Sequence, residues 1–484
     1  MNNKGASAFL QKQAETSTFW RGAALYNRCL QAAELDQRAT WGTDFLYRYG
    51  YEFLGMAYSV YIHSVIEKID HFGIDHVMFV ARKGYLFLKI YEILTGYRSE
   101  ADGLGGIRPS VTTHYAYLSK ASTLLASVSP LSARELALIA DKSEQQGLWD
   151  LFEALGLPPG EFEFLARSHD INLRSPLQDY WNNQTLLAFL SDRQVQTRVS
   201  KYQQQARATL SQYLSQCGFF GRDRKVALID IGWEGTLQDS LVHAFHQRPD
   251  FPLLHGFYFG LRGHKGALKY ASSFSHGLIY EARNRNINAE SINIFTDIFE
   301  WSAGAPHATT KGYAQLGDRV EDGVEPVFES DASLARQAEL RRRGAIAAMQ
   351  QGILDFAHQY GQQWQQQHFR AETSLPFVQG SIARHIAFPT HEEAYRIAVQ
   401  LGTSETHAMG LNENLGKALD AGLSRDTAPR VATTTKDFWS PLKLGRLATS
   451  LARLRRSAWL PASFRLTKIP GMASFYRIKR FLSF

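Results

Sequence analysis

Cysteine is nearly missing from this chain: only Cys29 and Cys217 occur among 484 residues. That excludes a disulfide framework and a zinc site built on paired cysteines. Long apolar runs are missing too. No uncharged hydrophobic stretch approaches the roughly 20 residues that span a bilayer, and positions 1–25 never build the apolar centre of a secretory signal. These absences argue against export and membrane spanning, and the expected setting is a reducing cytoplasm. An excess of positive charge is missing from most of the chain. The formal charge is +7, yet positions 436–484 hold eleven Lys or Arg against the single acid Asp437, which leaves −3 for everything before them. The basic character belongs to the tail.

What is present suits a folded protein with a large core, since 44% of the residues are hydrophobic and 12% aromatic. Between positions 41 and 70, Phe45, Tyr49, Phe53, Ala57, Val60 and Tyr61 recur mostly at three- and four-residue spacing, which predicts amphipathic helices that Gly73 stops. His76 to Val80 reads as a short buried strand, Ala81 to Gly84 as a polar turn, and Tyr85 to Leu94 as a helix. A second strand is expected around Tyr115 to Leu118, and the polar-apolar stretch at 125–215 reads as a helical insertion. Val226 to Ile229 is the clearest buried-strand run, with Asp230 at its carboxyl end, a turn from Ile231 to Gly235, and a helix opening at Thr236. Leu254 to Leu261 reads as another strand, and Leu334 to Gln367 as a long helix or helix pair.

Strands alternating with helices predict an α/β fold, a doubly wound, mostly parallel Rossmann-like sheet with a helical insertion and a helical C-terminal region. The expected divisions are a helical region over 1–70, the α/β domain over 71–330, a helical subdomain over 331–435 and the basic tail over 436–484.

Such sheets bind ligands outside the carboxyl ends of their strands, which directs attention to the turns after Val80, Leu118 and Ile229. In the third, Gly232 and Gly235 let backbone amides approach an anion, Trp233 and Glu234 lie between them, and Thr236 offers a hydroxyl at a helix N-terminus. Asp230 could accept hydrogen bonds from ribose hydroxyls or hold a hydrated Mg²⁺. Arg82, Lys83 and Gly84 suit a second anionic group such as pyrophosphate, and Ser119 and Lys120 add a weaker third contribution. The alternative is a set of tight turns whose glycines only permit packing and whose cations are only solvated. Glu300, His307 and Lys311 could line an acceptor site, and Asp297 and Glu300 could share one helix face.

Six segments carry a resemblance: the Tyr-rich helix from Tyr49 to Gly55, FVARKGYLFLKIYEIL at 79–94, YLSKAS at 117–122, ALIDIGWEGTLQDSL at 227–241, GFYFGL at 256–261 and SAGAPHATTKGY at 302–313. Together they resemble bacterial proteins of cell-surface polysaccharide gene clusters. In those, a haloacid-dehalogenase-like domain is often followed by a module with an Ala-Arg-Asp-Gly-Tyr turn and an Asp-Ile-Gly-Trp-x-Gly-Thr turn. That module looks like a type I phosphoribosyltransferase. The resemblance implies phosphoribosyl pyrophosphate as donor, a glycan or lipid-linked oligosaccharide as acceptor, and Mg²⁺ as cofactor. Carried over, Arg82, Lys83 and Gly84 would contact pyrophosphate, Asp230 the ribose hydroxyls, and Gly232 to Thr236 the 5-phosphate. Lys83 departs from the family's Asp, and the 230–236 turn has one acid and is shorter than the usual two-acid loop.

Two other readings stay open. A phosphatase would use Asp230 as nucleophile and needs a second acid two residues on, where this chain has Gly232. A non-catalytic protein could keep the same turns to bind a phosphorylated metabolite, and Lys83 motivates it. If a phosphoribosylated glycan is the product, a separate phosphatase and partner glycosyltransferases are implied. In the tail, aromatic residues such as Trp459, Phe464 and Phe475 among the cations favour an anionic membrane surface over internal packing or a nucleic-acid arm. The expected location is peripheral, at the inner face of the plasma membrane.

Overall fold

The computed structural model describes residues 17–36, 45–101, 111–136, 147–263 and 273–401, apart from 129, 134, 178–180, 285, 318, 320–321, 391–392, 394–395 and 398–399. The basic segment 436–484 lies outside the described residues. In chain order come α1 (Thr18–Asp36), α2 (Gly55–Phe72), β1 (His76–Val80), α3 (Gly84–Ala101), β2 (Thr112–Ala116) and α4 (Lys120–Ser127). Three short helices, Leu148–Leu155, Glu163–Ser168 and Gln184–Ser191, then lead into α5 (Arg193–Gln216). After these follow β3 (Lys225–Trp233), α6 (Thr236–Phe245), β4 (Leu253–Leu261), β5 (Ser273–Glu281) and α7 (Asp297–Ser302). The chain continues through β6 (Thr310–Gln315), β7 (Val324–Phe328), α8 (Leu334–Gln367) and α9 (Leu375–Ile382).

The main sheet has the order β2-β1-β3-β4-β5, and every pair in it is parallel. Side chains alternate across it, as strand geometry requires. Val77, Phe79, Ala227, Ile229 and Phe257 join a core with α2, α3 and α8, whereas Met78, Val80, Val226, Leu228 and Leu254 pack on α5 and α6. Helices therefore cover both faces, and the sheet is the middle of three layers. Met349, Ile353, Phe356 and Tyr360 of α8 belong to the same core as Tyr58 and Tyr61 of α2. The insertion has a core of its own, centred on Leu151, Phe152, Phe162 and Phe189.

Three expectations need correction. β2 runs from Thr112 to Ala116 rather than from Tyr115 to Leu118. Ser119 caps α4 by accepting the Ser122 amide, so the chain must leave the sheet before it. β3 does not end at Asp230; it continues to Trp233, pairing Gly232 with Gly260 and Trp233 with Leu261. The long partner strand β4 offers a ladder for those residues, so the turn shrinks to Glu234 and Gly235. β5 and the antiparallel hairpin of β6 and β7 were not expected, because their mixed polar and aromatic composition lacks a clean alternation.

Candidate functional site

Leaving β1, the chain goes to β2 on one side, and then returns to β3 on the other side of β1. At such a switch point the loops after the two strands diverge and leave a crevice. Here that crevice is a cleft of about 540 Å³, whose walls include Arg82, Lys83, Lys120, Asp230, Thr236 and Glu300. Ser119, Gly232, Trp233, Glu234 and Gly235 also line it, so ten of the eleven residues assigned from the sequence to the donor converge there.

Gly84 is the exception. It starts α3, and a Cβ on it would run into the backbone of Phe79. It packs helix closely on strand and is not part of the cleft lining. Gly232 serves the cleft in a similar way. Its φ is +116°, and a Cβ there would collide with the Gly260 carbonyl oxygen. The Ala81–Arg82 peptide bond, in the loop after β1, and the Gly232–Trp233 bond, at the end of β3, are both cis.

α6 begins beside the cleft. Gly235, at φ +68°, precedes Thr236, and no side chain caps the helix. The first amides of an α-helix have no intrahelical acceptor, and they carry the positive end of its dipole. Thr236 and Leu237 both line the cleft, so this uncapped end faces into it. An oxyanion fits there.

The cations are arranged less simply than the sequence suggests. Lys83 Nζ lies 2.8 Å from Glu300 Oε2, and the Trp233 indole donates to Glu300 Oε1 at 2.8 Å. Both oxygens of Glu300 are thus engaged, and α7 is tied to the loop after β1 and to the end of β3. Arg82 is held by the Glu339 carboxylate of α8 through both terminal nitrogens, and it also donates to the His307 carbonyl. In the structure as it stands the Arg82 fork is taken by a carboxylate, the geometry that best satisfies a guanidinium, so a contact with pyrophosphate would require that pair to exchange. Burial pushes Lys120 down from the usual lysine value, and the charge of Glu234 partly opposes that. The Ser119 hydroxyl donates to the Thr310 carbonyl while it caps α4, so its part is structural.

Asp230 is the chemically distinctive group. Burial raises its pKa to about 7, and the nearby charge of Glu300 adds to the rise; the Ile231 amide, donating to Oδ1 at 2.7 Å, and the Lys83 charge act against it. Its backbone carbonyl accepts from the Tyr61 hydroxyl, which also donates to the Phe257 carbonyl, so a buried tyrosine spans β3 and β4. Among the described residues no group of three or more metal-ligating side chains converges. A Mg²⁺ ion fits this cleft only as Mg²⁺ is often held, by one protein carboxylate with the remaining ligands from phosphates and water, and Asp230 is that carboxylate.

His307 is not in the cleft. Its Nε2 lies 2.6 Å from the Tyr115 hydroxyl, its ring packs against Tyr117 and Phe328, and burial lowers its pKa. Lys311 lies on β6 and is exposed. The sequence reading missed Tyr258 and Arg262, which line the cleft from β4 and its end. Arg262 lies over the Trp233 ring at 5.2 Å and donates to Asn293. The one available signal was position: both fall at the carboxyl end of a strand.

No helix among the described residues is long and apolar enough to cross a membrane. Compared with protein-family models and with curated proteins, the chain matches none.

Proposed function

We propose that the cleft binds phosphoribosyl pyrophosphate and transfers its 5-phosphoribosyl group to a glycan acceptor, as a type I phosphoribosyltransferase-like enzyme of surface polysaccharide assembly. One observation carries the reading: an uncapped helix N-terminus, the β3 carboxylate Asp230 and two lysines meet in one cleft at the sheet's switch point. The 5-phosphate takes the amides and hydroxyl at Thr236. Asp230 accepts from the ribose hydroxyls and, when Mg²⁺ accompanies the donor, supplies its protein ligand. Held by Asp230, the ion would supply neutralisation of the pyrophosphate charge. Lys83 and Lys120 stabilise the leaving group, Lys83 by exchanging Glu300 for a phosphate oxygen. In the transfer the bond from ribosyl C1 to pyrophosphate breaks, an acceptor oxygen bonds to C1, and the hydroxyl proton passes to water. Electrostatic stabilisation and positioning account for the rate. Peripheral attachment through 436–484, and removal of the phosphate by a separate enzyme, complete the proposal.

The test is calorimetric binding of phosphoribosyl pyrophosphate with Mg²⁺ to wild type, Asp230→Asn and Thr236→Ala, with a nucleotide sugar as control. Micromolar, donor-selective binding that weakens at least tenfold in both variants is expected. No binding to folded wild-type protein overturns the reading. A binding protein without turnover is favoured by one observation, the engagement of Arg82 with Glu339 and of Lys83 with Glu300. It predicts the same affinity but no pyrophosphate release with any glycan. The phosphatase alternative finds no support at position 232, where no side chain has room for the second acid.

A further inference from the structure

A second cavity, of about 420 Å³, lies behind the first and shares Arg82, Lys83 and Glu300 with it. Its other walls come from the first turns of α3, the end of α7 and one face of α8. Six cations line it (Arg82, Lys83, Lys89, Arg336, Arg342, Arg343) against two acids, Glu300 and Glu339. The two acids are already committed. Glu339 holds Arg82 and Arg336, and Glu300 holds Lys83. Among the described residues, Lys89, Arg342 and Arg343 form no ion pair.

Two of the three stand over aromatic rings. Lys89 stands four residues after Tyr85 on α3, and its ammonium lies over the Tyr85 ring at 4.4 Å. Arg342 stands three residues after Glu339 on α8, and its guanidinium lies over the Trp301 ring at 4.6 Å. Each half-buried cation is thus backed by an aromatic face rather than by a carboxylate. Burial lowers the pKa of Arg342, with the charge of Asp297 opposing. Cations outnumber acids six to two in this lining, and like charges crowded into a concave site are unfavourable until an anion enters. Tyr85 and Trp301 also line the cavity and add apolar surface beside the cations, which suits a sugar better than a bare anion.

The geometry points to a second subsite, for a sugar bearing a negative charge: we propose that this cavity receives an acidic acceptor, with its carboxylate or phosphate on Lys89, Arg342 and Arg343. The assignment of the sugar as acceptor rests on the transferase reading above; the anionic subsite does not.

The experiment is titration calorimetry of the full chain with three probes: a galacturonic acid oligomer, N-acetylglucosamine 1-phosphate and neutral maltotriose. At least one acidic probe is expected to bind at least tenfold more tightly than maltotriose. Preference for the uronic acid assigns the anion as a carboxylate, and preference for the sugar phosphate assigns it as a phosphate. Lys89→Gln and Arg342→Gln are each expected to lower acidic-probe affinity at least fivefold, and Arg342→Lys to retain part of it, with thermal unfolding confirming the fold. Equal binding of acidic and neutral probes overturns the proposal, and so does unchanged binding in the variants. Inorganic pyrophosphate is the last arm. If the variants lose pyrophosphate and not the acidic sugars, the cavity belongs to the leaving group and the acceptor assignment falls. If acidic sugars bind but phosphoribosyl pyrophosphate does not, the subsite stands and the transferase reading falls.

Discussion

The Asp230 carboxyl is close to half-ionised at neutral pH because burial and the Glu300 charge outweigh the Ile231 amide and the Lys83 ammonium. A cation or a ribose hydroxyl prefers the ionised form. Mg²⁺-dependent donor affinity should therefore climb as pH rises from 6 to 8, and Asp230→Asn should flatten that climb in calorimetry. The effect on folding has the opposite sign. A folded-state value above the ordinary 3.8 means that the protonated carboxyl stabilises the fold fully below that value, and this contribution fades as pH rises through about 7. In urea unfolding, Asp230→Asn should gain on wild type between pH 5 and pH 8; a constant difference would place the Asp230 carboxyl in water. Gly232 makes a prediction from shape alone. Alanine there meets both a positive φ and the Gly260 carbonyl, and should cost about 2 to 4 kcal/mol in the same assay.

At the scale of elements, Arg82 belongs to a contest between α8 and any anion in the cleft. Glu339→Gln removes the carboxylate that holds it. Donor affinity is expected to rise several-fold, while stability falls by about 1 to 2 kcal/mol because Arg82 and Arg336 both lose a partner. An unchanged donor affinity would show that Arg82 never leaves α8. This pair also shows what the sequence could and could not reveal. β1 and the first part of β3 are uninterrupted apolar runs, and α6 announces itself by a glycine followed by threonine and a helical pattern, so the core of the cleft was legible. The partners of its cations were not. Arg82 and Glu339 are 257 positions apart, and no local pattern links them. Trp233 and Glu300 are joined across 67 positions by a contact that exists only once β3 runs past Asp230. Glycines there looked like a turn because they permit one; the long strand β4 decided otherwise.

For the whole molecule, three cores matter. The sheet and its helices share one buried mass on each face, and the insertion closes a third cluster around Phe152 that does not include the strands. Phe152→Ala should cost about 3 to 5 kcal/mol locally. Limited proteolysis should then cut first within 147–199, with donor affinity at α6 kept within about threefold. Loss of donor binding in step with that cutting would mean that the insertion and the cleft unfold as one unit.

The Lys83–Glu300 ion pair stands in the wall common to both cavities. When a phosphate draws Lys83 toward the first, Glu300 is left with the Trp233 indole alone, and its negative charge turns outward to the second. The two ligands then communicate through a single shared counter-ion. On the proposed reading, the donor and the acidic sugar each shift the other's affinity through that one carboxylate.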